Sequence, residues 1–208
     1  QALSFVHQQG YLHLDVKPEN LMVRGLQLRP EEDTSQRMNV DTEVFERRTR
    51  EQAGAIELKL IDFGISVKEG EQVPLGGSMF YVAQEVVQGP KGGGGSVGQA
   101  ADVYSLGCTF YEVATGQPPY LPDWFHNRAD KNWMFHYPDY EKLPREARVE
   151  YEKDMVRNRL SKPVDANKVP HAQAVRDIIL KCLHPSPVKR YSTSYALARD
   201  LDGLLSRF

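Results

Sequence analysis

An α+β chain, mainly α-helical and carrying one small β-hairpin, is what this sequence predicts, and three observations predict it. Ala101–Gly116, ADVYSLGCTFYEVATG, is apolar on most sides, which marks a buried central helix. Two short strand-like segments, NLMV (Asn20–Val23) and IELKLIDFG (Ile56–Gly64), are suited to pair with each other; the second alternates apolar residues at Ile56, Leu58 and Leu60. The C-terminal stretch AQAVRDIILKCLHPSPVKRYSTSYALARDLDGLL reads as two helices, one over about Ala172–Leu183 and one starting near Ser192 with Ser194 as a cap candidate.

The remaining elements follow in chain order. Ala2, Leu3 and Val6 have helical spacing, and Gly10 is a helix stop. The loop LHLDVKPENL follows that stop. Between the two strands, residues 26–55 are dense in charge and far longer than a hairpin connection needs, so they read as a solvated insertion in which Thr42 could cap a short helix reaching Glu51. After Gly64 comes a loop, then a helix from Val82. Residues 89–99, GPKGGGGSVGQ, are a flexible Gly-rich loop. They lack the preceding strand, the glycine spacing and the Gly-Lys-Ser/Thr ending of a phosphate cradle. Gly116, Pro118 and Pro119 end the central helix, and Asp102 near its start suits the helix dipole. Residues 121–160 are aromatic and charged; Trp124 and Trp133 suit either packing or docking. No internal repeat is present.

The 208 residues suffice for one or two domains with a core, and 40% hydrophobic with 26% charged is ordinary for a globular chain. A net charge of -2 gives no bulk electrostatic case for a nucleic-acid partner or an acidic membrane. No apolar run approaches the ~20 residues that cross a bilayer. The chain opens QALSFVHQQG, without Met and without a basic-then-apolar leader, and so reads as beginning mid-protein. Cys108 and Cys182, the only cysteines, are far apart in apolar helical surroundings, which points to reduced, buried thiols and an intracellular (cytoplasmic or nuclear) setting. His7, His126, His136, His171 and His184 have no ligand spacing and read as surface or structural.

The chemistry concentrates in the loop after Gly10. Phosphoryl transfer asks a protein to position groups and neutralise charge. An Asp can orient a hydroxyl and accept its proton, a Lys two residues on can sit against the moving phosphate, and an Asn can ligate Mg²⁺ as a neutral oxygen donor. A second Asp after a strand can add the anionic ligand that Mg²⁺ prefers. Here these are Asp15, Lys17, Asn20 and Asp62. On residue type alone, Asp15 and Asn20 would equally suit turn caps, Asp62 a strand-end turn and Lys17 an exposed cation.

The ordered set of motifs resembles the C-terminal lobe of a eukaryotic protein kinase. HLDVKPEN is similar to the catalytic-loop pattern H-R-D-L-x-x-x-N, with Asp15 and Asn20 at matching positions. DFG at Asp62–Gly64 matches the magnesium motif. GSMFYVAQE (Gly77–Glu85) is similar to the end of an activation segment, DVYSLG to the start of the family's central helix, and HPSPVKR to its late loop ending in Arg. The motifs keep the family's order and span nearly the whole chain.

The resemblance implies the family's roles, residue by residue. Asp15 would be the catalytic base, Lys17 the γ-phosphate contact, and Asn20 and Asp62 the metal ligands, with ATP and Mg²⁺ as nucleotide and cofactor. Met22 would lie under the adenine ring, though it also suits plain core. His13 and Phe63 would stack, with Gly64 completing the motif. Ser78 would tie the activation segment to Asp15 and Lys17, or be an ordinary loop serine. Asp102 would accept hydrogen bonds from the catalytic-loop backbone. Glu85 and Arg190 would form an ion pair whose half-deletion costs about 3–5 kcal/mol if buried, unless they are unrelated surface charges. Lys17 is the Ser/Thr-kinase form of that position, and the implied partner is a protein substrate. The family's small N-terminal lobe, with its Gly-rich loop and strand Lys, has no counterpart here, so the chain reads as a C-terminal-lobe fragment that is inactive alone and exposes apolar surface where that lobe would pack.

Leu14, Ser78 and Gln84 depart from the family's Arg, Thr and Pro, and keep open a non-catalytic pseudokinase acting as a scaffold or regulator. A small-molecule kinase fits less well, given the activation-segment end. The Arg that Leu14 replaces normally pairs with a phosphate on the activation segment, and between Gly64 and Gly77 the only hydroxyl side chain is Ser66. Phosphatase treatment of the full-length protein is therefore expected to leave its activity unchanged; a large loss traced to this segment would refute the expectation.

Overall fold

The computed structural model describes residues 1–24, 57–73, 78, 80–88, 97–120, 164–169 and 173–206. The insertion at 26–55, most of the Gly-rich loop, and the aromatic region with Trp124, Trp133, His126 and His136 lie outside these residues, as does His171.

The chain begins with helix α1 (Ala2–Gln8), which buries Leu3 and Val6. Gly10 follows at φ 77, where a side chain would be strained, and its N–H closes the helix end on the His7 carbonyl at 2.9 Å. Strand β1 (Tyr11–Leu12) leads into the catalytic-type loop and a 3₁₀ turn at Pro18–Asn20. Strand β2 (Leu21–Arg24) then pairs antiparallel with β3 (Glu57–Leu60), with Leu21 opposite Leu60 and Val23 opposite Leu58. This is the expected hairpin. Strand β4 (Val67–Lys68) pairs antiparallel with β1. Two-residue strands carry no readable periodicity, so this second ladder leaves no signal in the residue pattern.

The helix expected from Val82 is the shorter α2 (Gln84–Gln88). Helix α3 (Gln99–Thr115) is the central one and packs against both α4 (Gln173–Cys182) and α5 (Ser194–Leu205). It divides the core. Tyr104, Cys108 and Tyr111 join a cluster with Leu12, Leu14, Phe80–Ala83, Ile179 and Leu183, while Val103 joins Ile178, Cys182, Tyr191 and Leu197. Two of its buried hydroxyls return to the helix backbone: Ser105 donates to the Ala101 carbonyl at 3.2 Å and Thr109 to the Ser105 carbonyl at 2.9 Å. An all-round apolar helix can therefore carry this serine and this threonine with their hydroxyls paired.

The two C-terminal helices form as expected, with one correction at the start of α5. Thr193, in extended backbone, is the cap: its hydroxyl oxygen accepts from the Ala196 N–H at 3.1 Å. Ser194 is already helical, and its hydroxyl is free for another partner. Both cysteines are buried free thiols, and burial, chiefly, pushes the Cys182 thiol up to about 12.

Helices α3 and α4 approach most closely at Gly107, where an added Cβ would lie 2.5 Å from the Cys182 Cβ. Gly107→Ala is expected to lower the denaturant midpoint, because overpacking of about 1–3 kcal/mol outweighs a helix-propensity gain of about 1 kcal/mol. An unchanged or raised midpoint would show that the two helices can part at little cost.

Candidate active site

The loop that carries Asp15 is held from below by Asp102. This carboxylate, fully buried on α3, accepts the His13 N–H at 2.8 Å on Oδ2 and the Leu14 N–H at 2.7 Å on Oδ1. Leu14 adopts φ 66, rare for a side chain of its size, and is itself buried. The sharp left-handed step turns the chain so that Asp15 emerges beside Lys17 and Ser78. His13 braces the other side. Its Nδ1 accepts from the Asp15 N–H at 3.3 Å, which leaves Nε2 to donate to the Ile61 carbonyl at 3.1 Å.

Asp15, Lys17, Asn20 and Ser78 form one hydrogen-bonded group. Asp15 Oδ1 accepts from the Ser78 N–H at 2.9 Å. Its Oδ2 is 2.9 Å from Lys17 Nζ and accepts from Asn20 Nδ2 at 3.0 Å. Lys17 Nζ also donates to Ser78 Oγ at 2.6 Å, so among the described residues one of its three N–H groups is left for another acceptor. Asn20 spends both amide hydrogens on Asp15, the second on its backbone carbonyl at 2.8 Å. Its amide oxygen accepts no hydrogen bond among the described residues.

Asp62 reaches the same neighbourhood through the hairpin. The ladder continues past Leu60, with the Ile61 N–H on the Asn20 carbonyl at 3.0 Å, so Asp62 follows one residue beyond a direct rung to Asn20. Asp62 is exposed, at φ 63, and its Oδ1 accepts from the Gly64 N–H at 3.2 Å. A Cβ at Gly64 would crowd that oxygen at 3.1 Å. The Phe63 ring meets His13 edge-on at 4.8 Å; His13 is fully buried, whereas Phe63 is half exposed. Met22 is more than half exposed on β2, which sets aside its plain-core alternative among the described residues.

Asn20 and Asp62 together offer hard oxygen donors. Mg²⁺ takes one or two protein ligands of this kind and completes its shell with phosphate oxygens and water, so this donor set fits that ion. Among the described residues no group of three or more His, Cys, Asp or Glu forms a closed metal cage.

Glu85 and Arg190 fix the far end of the segment that carries Ser78. Arg190 donates to both Glu85 oxygens, at 2.6 and 3.1 Å, and to the carbonyls of His184, Ala100 and Pro185, which occupies all its N–H groups. Both side chains are buried. Gln84 adds a strut: its amide donates to the Pro185 carbonyl at 2.7 Å. Sequence reasoning missed this bond, and it missed the partner of His7, which of its two readings, surface or structural, takes the structural one: it is buried with Nε2 2.9 Å from Asp102 Oδ2. The apolar spacing around His7 was the available sign that its ring faces inward.

Burial works against ionisation of Asp15. The hydrogen bond and charge of Lys17, with hydrogen bonding from Ser78, outweigh it and hold the carboxyl below its ordinary 3.8. A depressed carboxyl contributes stability that is present above its ordinary value and lost as pH falls through the lowered one. In Lys17→Met the Asp15 titration midpoint, followed by carboxyl-carbon NMR, is expected to rise, and the acid limb of stability to move to higher pH with it. An unmoved midpoint would show that Lys17 does not set this charge.

A family model described as protein kinase domain matches residues 1–201. The chain is 28% identical over 204 residues to the serine/threonine-protein kinase PknB of Mycobacterium tuberculosis, covering 97% of this chain and 24% of that protein. It is 33% identical over 127 residues to the maternal embryonic leucine zipper kinase of Danio rerio, covering 59% of this chain and 14% of that one. The solved structure of the Cydia pomonella granulovirus kinase PK-1 superposes with a TM-score of 0.56 at 20% identity, over 94% of this chain and 52% of that one. The chain thus spans about a quarter of the length of the PknB proteins it matches. With a family match that runs from the first residue through most of α5, this chain belongs to the protein kinase domain family.

Proposed function

We propose that this chain is the substrate-binding and catalytic half of a serine/threonine protein kinase, transferring the γ-phosphate of ATP to a Ser or Thr hydroxyl of a protein substrate. The observation that carries the reading is the hydrogen-bonded group of Asp15, Lys17, Asn20 and Ser78, with Asp62 one residue beyond the rung to Asn20. Asp15, ionised and aimed by three donors, orients the attacking hydroxyl and accepts its proton. Lys17 turns its remaining N–H toward the transferring phosphate. Asn20 through its amide oxygen and Asp62 through its carboxylate hold Mg²⁺, which when bound offsets the charge of the phosphates. Met22 supports the adenine from β2.

A small lobe completes the nucleotide site in this reading. Met22 and Val23 are neighbours on β2 and so face opposite sides of the hairpin, yet each is more than half exposed, as is Leu58 on β3. An apolar hairpin open on both faces suits a covering partner. The 208 residues alone are then inactive. Buried reduced thiols suit an intracellular location.

Radiolabelled γ-phosphate transfer to a Ser/Thr peptide mixture tests the proposal. The protein isolated with its nucleotide-covering half is expected to turn over, and Asp15→Asn to lose about 10²–10⁴-fold in kcat. Turnover by the 208 residues alone at the ~1–100 s⁻¹ of ordinary kinases would overturn the two-half reading. No transfer by the completed protein would favour the non-catalytic scaffold, to which the departures at Leu14, Ser78 and Gln84 lend support.

A further inference from the structure

One chain of buried polar side chains has no part in the reaction described above. Ser194 Oγ on α5 is 2.8 Å from His7 Nδ1 on α1, and His7 Nε2 is 2.9 Å from Asp102 Oδ2 on α3. Ser194 is 4% exposed, His7 6% and Asp102 0%. A serine–histidine–aspartate chain activates a nucleophile only where substrate can reach the serine, and here it is sealed. The consequence of the arrangement lies at its other end, where the same Asp102 carboxylate holds the His13 and Leu14 N–H groups.

We propose that Ser194 and His7 are positioning residues for the catalytic loop. The seating of α5 orients the His7 ring, the ring fixes the rotation of the Asp102 carboxylate, and the carboxylate holds the two amides that immediately precede Asp15. Three features carry this. Asp102 Oδ2 is shared between the His7 ring and the His13 amide, so a change in one donor is felt by the other. Leu14 adopts a left-handed backbone that depends on its bond to Oδ1. Thr193 caps α5, so the Ser194 hydroxyl is not needed to start that helix. The consequence for phosphoryl transfer rests on the function proposed above; the mechanical coupling does not.

Residue-resolved amide hydrogen exchange on the full chain tests the coupling without any assay of activity. In Ser194→Ala, exchange at His13 and Leu14 is expected to quicken about tenfold, the scale of one weakened hydrogen bond, while amides of α4 hold their rates. Ser194→Thr, which keeps a hydroxyl, is expected to restore protection. Should Ser194→Ala not fold, the isosteric pair Ser194→Thr and Ser194→Val gives the same reading, with Val losing the protection that Thr keeps. Unchanged exchange at His13 and Leu14, or an equal quickening throughout the chain, overturns the proposal. In the completed kinase, Ser194→Ala is expected to lower kcat with KM for ATP unchanged, and Ser194→Thr to recover it. If the exchange result holds and no form of the protein transfers phosphate, the function proposed above fails and the coupling stands.

Discussion

The fully buried carboxylate of Asp102 is the interaction on which the rest of the site depends. A carboxylate removed from water is costly unless its oxygens are fully hydrogen-bonded. Asp102 meets that demand with two consecutive backbone N–H groups and one imidazole, all from the N-terminal segment of the chain. The demand works in both directions. The loop supplies donors that the carboxylate needs, and the carboxylate stabilises a left-handed leucine whose backbone strain is on the order of 1–3 kcal/mol. Neither is at rest without the other. The first helix, the central helix and the Asp15 loop are therefore joined through one carboxylate.

A second buried anchor works by the same logic at the opposite end of the site. Arg190 has every N–H engaged, two on Glu85 and the others on carbonyls of three different residues, and its guanidinium also lies 4.7 Å over the Tyr104 ring. Such a pair is not strong evidence of net stability, since desolvation offsets much of the attraction. Its effect is on specificity of arrangement: the end of the segment carrying Ser78, the start of the central helix at Ala100 and the loop before α5 can satisfy Arg190 in one geometry. The Gln84 bond to the Pro185 carbonyl adds to that constraint. It also gives a physical account of why a residue other than Pro is tolerated there, because a side-chain amide replaces a conformational restriction with a direct tie.

Much of this was legible in the sequence. The central helix follows from its apolar character on most sides, and the hairpin and the two C-terminal helices from the pattern of apolar residues, which reports burial directly. Asp15, Lys17 and Asn20 stood out because polar residues of different charge type sat in apolar surroundings at short spacing, and Asp62 because it follows a strand in DFG. What stayed hidden depends on contacts between residues remote in sequence. The pairing of β1 with β4 uses two residues on each side and leaves no pattern. The cap of α5 fell on Thr193 instead of its neighbour Ser194, a choice between adjacent hydroxyls that composition cannot make. His7 shows the limit most plainly. Its partners lie 95 and 187 residues away, and no local feature separates a histidine that packs from one that links three helices.

The replacement of a cation by Leu14 fits this picture of a preassembled loop. A cation beside Asp15 would need an anion for its partner, and its order would then follow the presence of that anion. Leu14 instead belongs to the same buried cluster as Phe80, Tyr81, Val82 and Ala83, the residues that follow Ser78. Apolar burial needs no counter-charge and is not screened by salt as an ion pair is. The link between the Asp15 loop and the end of the Ser78 segment is thus made by packing on one side and by the Asp15–Ser78 hydrogen bond on the other. Two elements bear on this packed loop from outside it: the hairpin, through the Ile61 N–H on the Asn20 carbonyl, and α5, which reaches Asp102 through His7.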